Sequence, residues 1–235
     1  IGTNALGGPI AGGEYNVAVG NNTLDALTSG DNNVAIGYVA GSAITTGAQN
    51  VLLGGNAGNA ITDGPWNTAI GHSAMRYATT GDYNVALGGS ALGGAVLTGN
   101  NNIGIGYTAG AALTSGSDNV MIGFQAGDNF DTENSNVGIG TDALGGAIAG
   151  GEQNVAVGRL SLTALTSGDD NTAVGHNAGA SITTGGFNTL VGRSAGEDMV
   201  DQRLTAVGYY AGANTTGNQN NFFGFNCGSG NTSGQ

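Results

Sequence analysis

The chain has no lysine, one cysteine, two prolines and no apolar run long enough to span a membrane as a helix. Only 9% of its 235 residues are charged, against a usual quarter. Arg76, Arg159, Arg193 and Arg203 are the only cations beside two histidines, and 16 acids bring the net charge to -12. Such a surface is repelled by nucleic acid and by anionic membranes. One cysteine, Cys227, builds neither an internal disulfide framework nor a zinc site. The near-absence of cysteine fits an extracellular filament. Pro9 and Pro65 are too few for collagen or a proline-rich linker. No segment has the layout of a signal peptide. The chain opens on Ile1-Gly2, the closing residues of a repeat, and so reads as a fragment of a longer fibrous chain.

Glycine is what the chain has in excess, with 48 residues, about three times the usual share. The aliphatic residues are too regular for disorder. The pentapeptide Asn16-Val17-Ala18-Val19-Gly20 returns with small changes along the whole sequence. Its closing glycines are Gly2, Gly20, Gly37, Gly54, Gly71, Gly88, Gly106, Gly123, Gly140, Gly158, Gly175, Gly192, Gly208 and Gly224, spaced by 16 to 18 residues. These fourteen anchors cover residues 1–235 as a single repeat domain, with irregular coils near 124–140 and 193–224. Residues 5–20 return almost unchanged at 143–158, the trace of a duplicated multi-coil block.

Four residues before the anchor stands asparagine: Asn16, Asn33, Asn50, Asn67, Asn84, Asn102, Asn119, Asn136, Asn154, Asn171, Asn188 and Asn220, with Leu204 as the exception. Positions three and one before the anchor are mostly Val or Ile, with a small residue between them. That alternation has period two and predicts a short strand with one face buried, the Val/Ile columns stacking into a continuous apolar core. A small residue follows three after the anchor, then an apolar residue and a Thr/Ser–Gly turn. Glycine, asparagine and β-branched residues here are poor helix formers. The sequence therefore predicts an all-β fold, a parallel β-solenoid of about fourteen coils, each with two short strands and two glycine-bearing corners. At about 4.8 Å per coil these would make a rod of roughly 65 Å. Stacked asparagines form an amide ladder serving the corner backbone groups and one another.

The motif Asn-[Val/Thr]-Ala-[Ile/Val]-Gly with a following Ala-Gly, as in Asn33–Gly37 with Ala40 and Gly41, resembles the head repeats of YadA-like trimeric autotransporter adhesins and of bacteriophage tail fibres. The resemblance implies a left-handed β-roll, a homotrimer and an adhesive role. The period of 17 exceeds the 14 typical of those heads, and neither a heptad stalk nor an outer-membrane barrel is present. A closed three-sided monomer is the alternative.

Function is sought in the columns. Just after the anchor lie Asn21, Tyr38, His72, Tyr107, Phe124, Arg159, His176, Arg193, Tyr209 and Phe225. Of these, Tyr38, His72, Tyr107, Phe124, Arg159, His176, Arg193 and Tyr209 are a candidate ligand or receptor stripe, suited to sugar rings. A corner or inter-chain column that tolerates bulk would read the same way. His72 and His176 are six coils apart, about 29 Å, so they do not share a site within one chain. An acidic ridge (Glu14, Asp31, Asp82, Asp118, Glu152, Asp169 and Asp170) favours solubility, with calcium bridging at Asp31, Asp82, Asp118 and Asp169 as a lesser reading. A threonine column, Thr28, Thr45, Thr62, Thr79, Thr114, Thr166 and Thr183, raises ice binding as a rival. Catalysis has least support. The one local acid cluster is Asp128, Asp131 and Glu133, and the GxGxxG-like strings lack the strand–helix setting of a phosphate loop. No cofactor or catalytic residue is expected. The leading reading is a structural, adhesive rod outside the cell or on a virion, with a host surface or glycan as partner, no nucleic acid and no insertion into a membrane. A monomeric ligand-binding or ice-binding solenoid is the alternative, and a polysaccharide-degrading enzyme comes last.

Overall fold

Stacking identical residues at a fixed period lets every coil lend its unpaired backbone groups to the next, and the structure is built on that exchange. The computed structural model describes residues 1–146, 150–199 and 203–230. Two units are present, Ile1–Asp118 and Asn119–Gln235. The first contains strands β1 (Val17–Val19), β2 (Val34–Ile36), β3 (Val51–Leu53), β4 (Thr68–Ile70), β5 (Val85–Leu87) and β6 (Ile103–Ile105). The second contains β7 (Val120–Ile122), β8 (Val137–Ile139), β9 (Val155–Val157), β10 (Thr172–Val174), β11 (Thr189–Val191), β12 (Thr205–Val207) and β13 (Asn221–Phe223). Within each unit the strands pair in parallel and in chain order, and equivalent residues face each other, as Val17 does Val34 and Val137 does Val155. The fold is thus an all-β parallel solenoid with a repeat of about 17 residues. Thirteen of the fourteen anchor glycines close a strand; Gly2 has too little chain before it. Positions 124–140 hold β8, paired in register with β7 and β9. In the stretch 193–224, β12 and β13 pair in register, while residues 200–202 lie outside the described residues.

Two expectations are corrected. Each coil has one strand, not two. Where the second was expected, the backbone takes left-handed φ values at alternate residues, as at Asn22 (φ 54) and Leu24 (φ 50), or Ser73 (φ 59) and Met75 (φ 49). That breaks the extended pleat. Coil-to-coil bonding continues through it, for example Leu24 N–H to Ala40 O at 3.2 Å and Thr28 N–H to Thr45 O at 2.9 Å.

The second correction concerns the core. The Val/Ile columns are not buried. The middle residue of each strand faces inward instead, as Ala35, Leu52, Ala69, Ala86 and Met121 do. The core is completed by the small column (Ala40, Ala57, Ala74, Ala91, Ala109) and by the corner residues Leu27, Ile44, Ile61 and Leu113. The small mid-strand residue is compatible with a full core because a second column compensates for it. Six residues after a large mid-strand residue stands glycine: Leu52 with Gly58, Met121 with Gly127, Leu190 with Gly196. Six after a small one stands a large residue in some coils (Ala69 with Met75, Ala86 with Leu92, Ala156 with Leu162); at Ala35 with Gly41 and Ala173 with Gly179 both are small, and the leucines of adjacent coils fill the space, Leu24 and Leu52 at Gly41 and Leu162 and Leu190 at Gly179. A Cβ on Gly58 would lie 2.7 Å from Leu52 Cδ2, inside the occupied volume. Leu52→Ala alone is expected to cost about 2–5 kcal/mol through the cavity it leaves. Gly58→Leu alone should also destabilise, through overpacking. The double variant Leu52→Ala/Gly58→Leu should recover most of the loss in urea melts, because it reproduces the Ala69/Met75 arrangement.

The asparagine column is buried from Asn33 through Asn188. Each side chain bridges to the next coil. Asn84 Oδ1 accepts the Asn102 N–H at 2.8 Å, and Asn84 Nδ2 donates to Gly99 O at 2.9 Å. The same pair of bonds recurs at Asn33 (to Asn50 N–H and Gly47 O) and at Asn154 (to Asn171 N–H and Gly168 O). The strand's entry and the Thr–Gly turn are thereby satisfied together, where an unpaired buried backbone group is costly. Leu204 donates its N–H to Asn188 Oδ1 at 2.9 Å, but its side chain returns no bond. Asn220, in the following coil, turns its Nδ2 to Gly217 O of its own coil.

Candidate functional site

The residue after each anchor glycine leaves the strand just before the left-handed turn, on the solvent side. In the first unit the column alternates bulk with glycine. The His72 ring covers Gly55, where a Cβ would meet Cδ2 at 3.6 Å, and the Tyr107 ring covers Gly89 in the same way at 3.3 Å. Tyr38 and Tyr107 are exposed, and His72 Nδ1 lies 3.2 Å from Ser73 Oγ. This stretch of the column carries no arginine.

The second unit differs. Phe124 is exposed, and after Thr141 the column becomes Arg159, His176, Arg193, Tyr209 and Phe225 in five successive coils. These side chains contact one another along the stack. Arg159 Nη1 lies 3.3 Å from His176 Nε2. Arg193 Nη1 donates to Tyr209 Oη at 3.3 Å, with its guanidinium 5.5 Å from the ring centroid. Tyr209 and Phe225 stack at 5.2 Å with their planes 8° apart. Since a guanidinium only donates, His176 Nε2 is the acceptor in this contact. His176 Nδ1 is buried and meets no partner among the described residues, and neither does the buried Oδ1 of the adjoining Asn177. Among the described residues, no carboxylate lies within ion-pair distance of Arg159 or Arg193.

The acidic ridge serves the backbone. Asp31 Oδ1 accepts the Glu14 N–H and Asp169 Oδ1 the Glu152 N–H, both at 2.8 Å, while Asp118 Oδ1 accepts Asn101 Nδ2 at 3.1 Å. No group of three potential metal ligands comes together among the described residues. Asp82 has its carboxyl pKa raised above the ordinary 3.8, first by partial burial and then by the neighbouring Asp63 charge. A raised folded-state pKa favours the fold below the unfolded value, and that advantage is lost as pH rises through the folded value. Asp82→Asn should therefore melt above the parent at pH 7, with the difference closing at pH 3. A variant that melts at or below the parent at pH 7 contradicts this.

Three further groups have structural placements. Glu133 is buried, its Oε2 accepting the N–H groups of Asp131 (3.0 Å) and Thr132 (3.1 Å) and its Oε1 that of Gly150 (2.9 Å). It holds a turn where other coils have glycine, a role the sequence did not signal beyond the missing glycine. Its neighbour Asp128 has a raised pKa, chiefly from burial. The threonine hydroxyls donate along the stack, Thr28 to Thr45 O at 2.9 Å and Thr166 to Thr183 O at 2.9 Å. Cys227 is a half-buried free thiol in the small-residue column.

No protein-family model matches the chain, and comparisons with curated proteins and with solved structures returned no match.

An exposed, mostly apolar surface lies on the strands. Their outward residues form two adjacent columns in each unit; both are aliphatic in the first apart from Thr68, whereas in the second one column continues as Thr172, Thr189, Thr205 and Asn221 while the other stays apolar. Ile36 and Ile70 are each 40% exposed, and Val174 and Val191 are exposed. No charged residue interrupts either column.

Proposed function

We propose that the chain is a structural and adhesive solenoid, part of a bacterial surface adhesin or a phage tail fibre, which assembles side by side as a homotrimer outside the cell and mediates attachment to a host or surface. One observation carries the reading. Each strand turns its middle residue inward and its two flanking residues outward, so each unit presents an uncharged, mostly apolar ribbon. Contiguous exposed apolar surface of this kind marks a contact face. A closed monomer has no use for it, whereas identical chains packed around an axis bury the same columns against one another. The self-complementary register of a repeat makes a second and third copy of this chain the natural partners. The resemblance of the Asn-Val-Ala-Ile-Gly motif to trimeric adhesin heads points the same way.

The role is non-enzymatic in this reading. The buried carboxylate of Glu133 is consumed by three backbone N–H groups, and Asp31 and Asp169 of the ridge accept backbone N–H groups of the preceding coil. Two experiments test the proposal. Ile36→Asp with Ile70→Asp should lower the particle mass to that of one chain while the β-type circular dichroism is kept. An unchanged mass contradicts the role of the ribbon. Labelled protein should be retained on cell or glycan-coated surfaces and displaced by excess unlabelled protein. Failure on bacterial cells, animal cells and glycan arrays alike contradicts the adhesive role.

A further inference from the structure

In a chain with four arginines and 16 acids, two of the arginines, Arg159 and Arg193, share one column, two coils and so about 10 Å apart, with His176 between them and, among the described residues, no carboxylate within ion-pair distance of either. Tyr209 and Phe225 continue the same line over the next two coils. We propose that Arg159, His176, Arg193, Tyr209 and Phe225 form a binding stripe for an acidic saccharide. The guanidinium groups take its carboxylate or sulfate groups, and the exposed ring of Phe225, supported by Tyr209, packs against a sugar face.

Three observations converge on this. The guanidinium groups are engaged only with an imidazole and a phenol, so their remaining N–H donors are open to an oxyanion, which a planar guanidinium binds in bidentate fashion. The arrangement beneath them is unsatisfied. Among the described residues, the buried His176 Nδ1 and the buried Asn177 Oδ1 have no hydrogen-bond partner, while Asn177 Nδ2 donates to Glu197 Oε1 at 2.9 Å. Finally, Phe225 is 78% exposed and stacks parallel on Tyr209 at the end of the Arg193–Tyr209–Phe225 series, an exposed apolar ring beside the cations rather than a core ring.

A neutral sugar would leave the arginines without a role. A small anion would leave the exposed Phe225 ring without one. The column itself holds no acid at any coil, and the nearby Glu197 carboxylate is engaged by Asn177 Nδ2 at 2.9 Å. The proposal deepens the adhesive reading, on which it rests for its setting, by naming a ligand class.

The test is binding of heparin oligosaccharide (sulfated) and polygalacturonate (carboxylated) to the full chain by calorimetry, with dextran as the neutral control. The native protein should bind at least one polyanion and not dextran. Arg159→Gln/Arg193→Gln should weaken binding at least tenfold, and Tyr209→Ala/Phe225→Ala severalfold. Arg76→Gln should have no effect. Light scattering and thermal melts of the same variants check that assembly and fold are kept. Which polyanion is preferred tells sulfate from carboxylate as the recognised group. Binding that survives the double arginine change overturns the stripe, as does failure to bind either polyanion. Retention on cells by a protein that binds neither polyanion would leave adhesion standing and remove only the stripe.

Discussion

Gly71→Ala is expected to destabilise the first unit by about 4 kcal/mol or more, the range reached only by severe core or backbone defects. Gly71 has φ +133, a region held essentially by glycine alone. A Cβ there would also stand 2.5 Å from the carbonyl oxygen of Gly88, the equivalent anchor one coil on. Neither problem relaxes locally, because the offending atom is backbone fixed by the ladder. The neighbouring Gly55 is the control. A Cβ there would meet only the His72 ring at 3.6 Å, and its φ is not in the left-handed region. Gly55→Ala should stay within about 1 kcal/mol of the parent, in the range of ordinary surface changes. Urea unfolding of the pair measures the difference, and near-equal midpoints contradict the stacked-glycine explanation of the anchor column.

The second large effect is expected at Asn84. Asn84→Ala removes the acceptor of the Asn102 N–H and the donor to Gly99 O, both buried. Each orphaned backbone group costs about 1–3 kcal/mol, so the sum is about 2–6 kcal/mol. Total stability of a domain is only about 5–15 kcal/mol. Asn84→Asp should be no better at neutral pH, since it keeps the acceptor but sets an anion against the Gly99 carbonyl. Hydrogen exchange should show the Asn102 amide losing protection in both variants. Retained protection of that amide would mean that the side chain is not its partner. The coil with Leu204 shows how the ladder tolerates one such gap: an apolar residue fills the space, and the missing bonds stay confined to one coil step.

The fold class was legible because a solenoid writes its period into the sequence, and the asparagine and anchor-glycine spacing has no other economical explanation. What the spacing did not reveal was direction. By the ordinary rule, Val17 and Val19 belong inside and Ala18 outside. The reverse holds, with Ala18 buried and Val17 and Val19 exposed. Part of the signal lay six places later, where glycine follows Leu52 and Leu92 follows Ala86, but Ala35 with Gly41 departs from that relation because leucines of the adjacent coils fill the space. The second strand was misread for a related reason. Hydrophobic positions do not reveal φ, and residues such as Val39 (φ 50) and Leu92 (φ 47) adopt left-handed backbone that glycine or asparagine would more readily announce. At the stripe, the column itself could be read. The contacts of Arg159 with His176 and of Arg193 with Tyr209 depend on side-chain conformation, which sequence does not carry.

The consequence of that reversed strand is the exposed, mostly apolar ribbon, and the proposed assembly stands or falls with it. The most direct measurement is the native particle mass by light scattering coupled to size-exclusion chromatography. Three times the chain mass of 22.8 kDa is the predicted result. A particle of one chain mass, over the full range of concentration, would contradict it.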